Sequence, residues 1–205
     1  MGKVVNAHVH FGVPWGPSCH LDVSYTPETL LRDMDRDGVD MSIILPFIFN
    51  YDIEWHCRCA REHSDRLIAY VMYNPWRHKN IKDEVRRWKD WGARGVKLRP
   101  PSEGFNINSF DLLGDCFEAC QEEDMILMVH TGDDVSSTPL QCEEVLHYFP
   151  KLTISIAHAG FRNVADEAIR VAQRNKNVIL DQTAATSQQL RQALEAIEPE
   201  RIIWG

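Results

Sequence analysis

The chain has 205 residues, 44% of them hydrophobic and 25% charged, with a formal net charge of −8. This composition is that of a globular domain with a core of its own and excludes a disordered or low-complexity chain. Negative charge without a Lys/Arg-rich block argues against a nucleic-acid partner, and no apolar run approaches the ~20 residues of a membrane span.

In chain order, the first apolar run is VVNAHVH (4–10). Strand alternation predicts Asn6, His8 and His10 on one face. No secretory leader precedes it, so the six cysteines read as free thiols in a reducing cytoplasm. TPETLLRDMDRDG follows as a helix, with Thr26 as N-cap, Pro27 at the first helical position and Gly38 as stop. MSIILPF (41–47) is the second strand, and 51–63 a shorter helix. His56, Cys59 and His63 have helical spacing there. With no second ligand pair nearby, the segment reads as an outer helix rather than a metal site.

LIAYVMY (67–73) is the third strand. IKDEVRRWKDWG puts Ile81, Val85 and Trp88 on one helical face and stops at Gly92. RGVKLRP (94–100) is the fourth strand. SFDLLGDCFEACQEED groups Phe110, Leu113, Phe117 and Cys120, with Cys116 one turn from Cys120. MILMVHTG (125–132) is the fifth strand, and TPLQCEEVLHYFP repeats the Thr-Pro opening at Thr138 and Pro139. LTISIAHAG (152–160), NVILDQT (177–183) and RIIW (201–204) complete the strands, with helices near 163–174 and 187–198.

Each strand is short and near-continuously apolar, as parallel strands covered by helices are. Eight strands alternating with helices predict an α/β protein, a (β/α)8 barrel or a doubly wound sheet, and eight is the barrel's number. No linker or repeat divides the chain, so residues 1–205 read as one domain. The eighth strand ends at Gly205, and no eighth helix follows it.

Barrel active sites sit at strand C-termini. His8 and His10 fall there on strand 1, Lys97 and Arg99 on strand 4, His130 on strand 5, His158 on strand 6 and Asp181 on strand 7. Neutral imidazole is the commonest protein metal ligand. Residues i and i+2 of a strand point the same way, roughly 6–7 Å apart, so two imidazoles and a third from strand 5 can converge on one divalent ion. The competing role is histidines bonded to one another or to backbone. Lys97, Arg99 and Arg162 suit a carboxylate-bearing substrate, with ion pairing to the chain's acids as the alternative. Asp181 either closes strand 7 as a polar residue or lends its carboxylate to the site. Phe11 and Trp15 read as a lid or as a packed loop.

The motifs AHVHFG, GVKLRPPSEGFNIN, MVHTG, AHAG and RIIWG occur in this order along the whole chain. The set resembles the amidohydrolase superfamily, and within it the amidohydrolase-related branch that includes aminocarboxymuconate semialdehyde decarboxylase. The resemblance implies a barrel with a divalent metal, zinc first and manganese as alternative, held by His8, His10 and His130. It implies His158 as acid/base or orienting group beside an activated water, and an unmodified Lys97. A strand 4 Glu motif of related deoxyribonucleases is absent.

The sequence departs from the family twice. Asn6 stands where the first motif usually has Asp, and is expected one layer deeper in the barrel. The family's Asp after the last strand, its fourth ligand, lies past Gly205, so a C-terminal truncation is expected. Bare apolar surface at the last seam would then favour poor solubility or a homo-oligomer. The implied function is hydrolysis of an amide, lactone or ester in a small carboxylate-bearing molecule. The alternatives are a decarboxylase or hydratase on the same metal site, and an inactive fragment.

Overall fold

The structure, a computed structural model, describes residues 3–12, 25–47, 50–161 and 163–205. Trp15, Cys19 and Arg162 lie outside the described residues. In chain order come β1 (Val5–Phe11), α1 (Pro27–Asp37), β2 (Met41–Pro46), α2 (Ile53–Glu62), β3 (Leu67–Met72), α3 (Ile81–Asp90) and β4 (Gly95–Leu98). They are followed by the single turn α4 (Pro100–Glu103), α5 (Phe110–Glu122), β5 (Ile126–His130), α6 (Pro139–Tyr148), β6 (Ile154–Ala157), α7 (Ala165–Arg174), β7 (Val178–Asp181), α8 (Ser187–Ala196) and β8 (Ile202–Ile203).

The caps explain the breaks between elements. Thr26 Oγ1 accepts the Thr29 N–H, Pro27 opens α1, and Gly38 ends it with φ 70°. Thr138 and Gln141 form a reciprocal capping box on α6. The strands pair in parallel and in chain order from β1 to β8. Ala7 N–H donates to the Trp204 carbonyl at 2.8 Å and joins the last strand to the first. The architecture is a (β/α)8 barrel.

Alternation along the strands makes two cores. Ile44, Val71, Val96, Leu127, Ile154 and Leu180 pack outward under the helices. Leu45, Tyr70, Met128 and Ala157 fill the barrel interior with Ile43, Ile68, Ile126 and Ile203. Gly95 allows this filling, since a Cβ there would stand 2.6 Å from the Tyr70 ring.

β1 corrects one expectation. Its register against β2 shifts between Asn6 and Val9, so two residues of β1 oppose one of β2. Asn6 therefore does not share a face with His8 and His10. It lines a cavity of about 100 Å³ with Val9, Tyr25, Leu30, Met34 and Ser42, under α1. The family's Asp position is on the outside of the strand here, not a layer deeper inside.

α2 is an outer helix, as read. Cys57 and Cys59 are buried beneath it, and His56 Nε2–H donates to the Ile44 carbonyl at 3.0 Å. Cys116 and Cys120 are both buried in the core. Phe11 is packed rather than a lid: it is fully buried and stacks on Trp55 with centroids 5.2 Å apart. At the β8–β1 seam, Val5 is 40% and Trp204 61% exposed. Among the described residues, no helix is long and apolar enough to cross a membrane.

Candidate functional site

The bulge in β1 aims both of its histidines into the mouth of the barrel. Their rings lie 5.4 Å apart, centroid to centroid. His158 starts a 3₁₀ turn directly after β6, and its ring stands 4.9 Å from His8 and 4.6 Å from His130. The structure thus brings the four histidines together from three strands.

The turn that carries His158 is strained. His158, Ala159 and Phe161 have φ of 65°, 45° and 52°. Non-glycine residues held there cost about 1–3 kcal/mol each and cluster at functional sites. Two features hold the turn. The Thr131 hydroxyl donates to the Ala157 carbonyl at 2.8 Å and accepts the Gly160 N–H at 3.0 Å. Gly132 approaches Gly160 so closely that a Cβ would lie 2.4 Å from its carbonyl.

Hydrogen-bond partners fix the ring protons. Carbonyls and carboxylates only accept, so a ring nitrogen facing one carries the proton. His8 Nδ1 donates to Asp181 Oδ2 at 2.6 Å, His10 Nδ1 to the Pro46 carbonyl at 3.0 Å, and His158 Nδ1 to the Thr183 carbonyl at 3.1 Å. Each of these rings keeps its lone pair on Nε2. His8 Nε2 is buried without any partner among the described residues. His130 is different. Its Nδ1 meets His158 Nε2 at 3.1 Å and must donate, which sets its unprotonated Nε2 against Asp133 Oδ2 at 2.5 Å. That contact calls for one more positive charge.

Burial opposes supplying it by protonation. Desolvation, with Lys97 nearby, pushes His10 down to about 3, and desolvation pushes His130 down to about 4 despite Asp133. His8 and His158 are lowered by the same cause. Asp181 stays below the usual carboxylate range: desolvation raises it, and the bonds from His8 and Thr183 outweigh that.

Lys97 is fully buried at this site, its Nζ has no hydrogen-bond partner among the described residues, and desolvation pushes it down to about 7 against the pull of Asp181. Arg99, two residues on, has a buried Nε without a partner among the described residues. The ion pairing with the chain's acids that competes for these cations is not formed among the described residues.

Three further residues at the mouth escaped the sequence reading. Tyr51 donates to Glu103 Oε1 at 2.6 Å, Asn74 Nδ2 donates to the Tyr51 oxygen at 3.1 Å, and Glu103 Oε2 is buried without a partner among the described residues. Their only signal was position, just past strands 2, 3 and 4.

Among the described residues, no three His, Cys, Asp or Glu side chains already converge as a ligating group. The donor chemistry nevertheless fits a divalent cation. The rings are neutral, His8 presents an orphaned Nε2, and the His130–Asp133 contact lacks a positive charge.

The profile of the amidohydrolase family matches residues 5–205. The chain belongs to the amidohydrolase family. It falls in the amidohydrolase-related branch, whose members are enzymes that typically use a divalent metal. Among curated proteins no match is found. Solved amidohydrolase structures share the fold. 5-Carboxyvanillate decarboxylase LigW from Sphingomonas paucimobilis is 13% identical, over 99% of this chain and 88% of that one, with a TM-score of 0.76. A putative 2-pyrone-4,6-dicarboxylic acid hydrolase from Pseudomonas putida is 17% identical, over 99% and 81%, with a TM-score of 0.75. 2,6-Dihydroxybenzoate decarboxylase is 13% identical, over 100% and 88%, with a TM-score of 0.72.

Proposed function

We propose that this amidohydrolase is a metal-dependent hydrolase of a small, carboxylate-bearing substrate, with residues 1–205 forming one barrel domain. The observation that carries this reading is Lys97: a fully buried amine with no partner among the described residues, beside the histidine cluster. An unpartnered cation in such a place is costly. A substrate carboxylate is the anion that answers it, with Arg99 as a second donor. Arg162 is proposed as a third.

His8, His10 and His130 would hold the metal. Imidazole donors suit zinc, and manganese is kept as the alternative that the family resemblance implies. When bound, the metal supplies Lewis acidity that makes water nucleophilic near neutral pH. His158 is neutral, and its Nδ1–H is anchored on the Thr183 carbonyl. Its Nε2 accepts the His130 Nδ1–H at 3.1 Å; with that bond given up, it would take the proton of the attacking water and return it to the leaving group. The water oxygen bonds to the acyl carbon as the acyl–oxygen or acyl–nitrogen bond breaks.

The second reading is decarboxylation at the same site, and the two structurally similar decarboxylases favour it. There the same cations hold the carboxylate, the carbon–carbon bond breaks, and a proton replaces CO2 on carbon. The test is turnover of a panel of aromatic and unsaturated carboxylates, esters and lactones in ¹⁸O-labelled water. Label in the product acid without CO2 release is the expected result. CO2 release without label overturns hydrolysis for the lyase reading, and no turnover by the zinc-loaded protein on any panel member overturns both.

A further inference from the structure

We propose that Asp181 is a positioning residue: it holds His8 in the Nδ1–H tautomer and thereby keeps His8 Nε2 competent to bind a metal. The consequence for metal binding rests on the metal reading above. The tautomer itself does not.

The carboxylate is fully committed. Oδ2 accepts from His8 Nδ1 at 2.6 Å, while Oδ1 accepts both the Thr183 N–H at 2.9 Å and the Thr183 hydroxyl at 2.5 Å. Asp181 is therefore not a spare ligand standing in for a carboxylate from strand 8. It acts through His8. Nor is it a polar residue that merely closes strand 7, because its side chain is fully buried and reaches across the mouth to β1.

The root of His8 is fixed independently. Its N–H donates to Asn6 Oδ1 at 3.1 Å, and Gly205 lies so close that a Cβ there would come within 2.7 Å of His8 Cβ. What remains adjustable is the ring, its tilt and its proton. A carboxylate at Nδ1 sets both, and leaves the lone pair on the buried, unpartnered Nε2.

Thr183 makes the Asp181→Asn variant decisive. Its two donors require an acceptor at the Oδ1 position, so the asparagine carbonyl must face Thr183 and its NH2 must face His8. Nδ1 then becomes the acceptor, and the proton moves to Nε2, the atom needed for the metal. Asp181→Ala removes the partner without imposing the wrong tautomer, so its effect should be smaller.

The experiment reads both levels. Two-bond ¹H–¹⁵N correlation spectra of the metal-free protein should show His8 as Nδ1–H in the wild type and as Nε2–H in Asp181→Asn. Zinc competition against a chromophoric chelator should show affinity roughly 10–100-fold weaker in Asp181→Asn, with Asp181→Ala between it and the wild type. Thermal unfolding checks that each variant is folded. If Asp181→Asn is not, the wild-type spectrum and the alanine variant carry the test, the latter with mixed tautomers. A wild-type His8 found as Nε2–H overturns the proposal. So does an affinity unchanged by either substitution, or an equal loss in both with the tautomer retained, which would mark a merely structural role. A wild type that shows the Nδ1–H tautomer but binds no zinc overturns the metal reading instead.

Discussion

Buried neutral histidines make this barrel sensitive to acid, and His56 shows the effect away from the mouth. It sits on the inner face of α2, buried, and desolvation pushes it down to about 4 although its bond to the Ile44 carbonyl acts the other way. An unfolded histidine titrates near ~6.5. Between these pH values the unfolded chain binds a proton that the fold refuses. The stabilisation is thus complete above about 6.5 and lost as pH falls towards 4, by up to ~1.4 kcal/mol per pH unit for each such group. Urea denaturation of the metal-free protein should show stability falling from pH 7 to pH 5. His56→Gln, whose amide can still donate to the Ile44 carbonyl, should flatten that slope by about one proton. An unchanged slope would show that His56 does not titrate in this range. At this scale the mouth histidines were legible because imidazoles at the ends of apolar strands have few other uses. Asn6 was not, because one extra residue in β1 reverses the parity on which any face assignment depends. The orientation of Asp181 was open because it ends a four-residue strand, too short for alternation in the sequence to fix its face.

Among the elements, the ends of β5 and β6 matter most, since they carry His130 and His158. Gly132 has φ 90°, and a Cβ on it would meet the backbone of Gly160 at 2.4 Å. Neither strand can yield without moving its histidine. Gly132→Ala should cost about 2–4 kcal/mol, from overpacking and left-handed strain together. Gly114→Ala is the control: it sits inside α5 with nothing within 4 Å of its would-be Cβ. That change should stabilise by about 0.5–1 kcal/mol. Chemical denaturation of both variants checks this, and a neutral Gly132→Ala would contradict the close-approach reading. Most elements were legible from local chemistry. The Thr-Pro openings and Gly38 mark α1 and α6 as plainly in the sequence as in the structure. The positive-φ turn at His158 was not, since AHAG offers glycine only at Gly160 and the strain falls on His158, Ala159 and Phe161. Nor was the Tyr51–Asn74–Glu103 network, which two loops and the turn α4 assemble.

For the whole molecule, the alternation of eight apolar runs with helices carried the barrel, and the ordered motifs carried the family. Closure of the ring at Ala7 and Trp204, and the exposure of Val5 and Trp204 beside it, depend on contacts between the two ends of the chain, which no local pattern encodes. The barrel's consequence is a pocket of neutral rings around a buried amine, inside a protein of net charge −8. That pocket is the proposed seat of a divalent metal, and zinc titration of the metal-free protein tests this most directly. The expected result is about one tightly bound zinc per chain, lost in His8→Ala, His10→Ala and His130→Ala and retained in His56→Gln. A wild type that takes up no zinc or manganese, or a zinc stoichiometry that survives all three alanine substitutions, would contradict it.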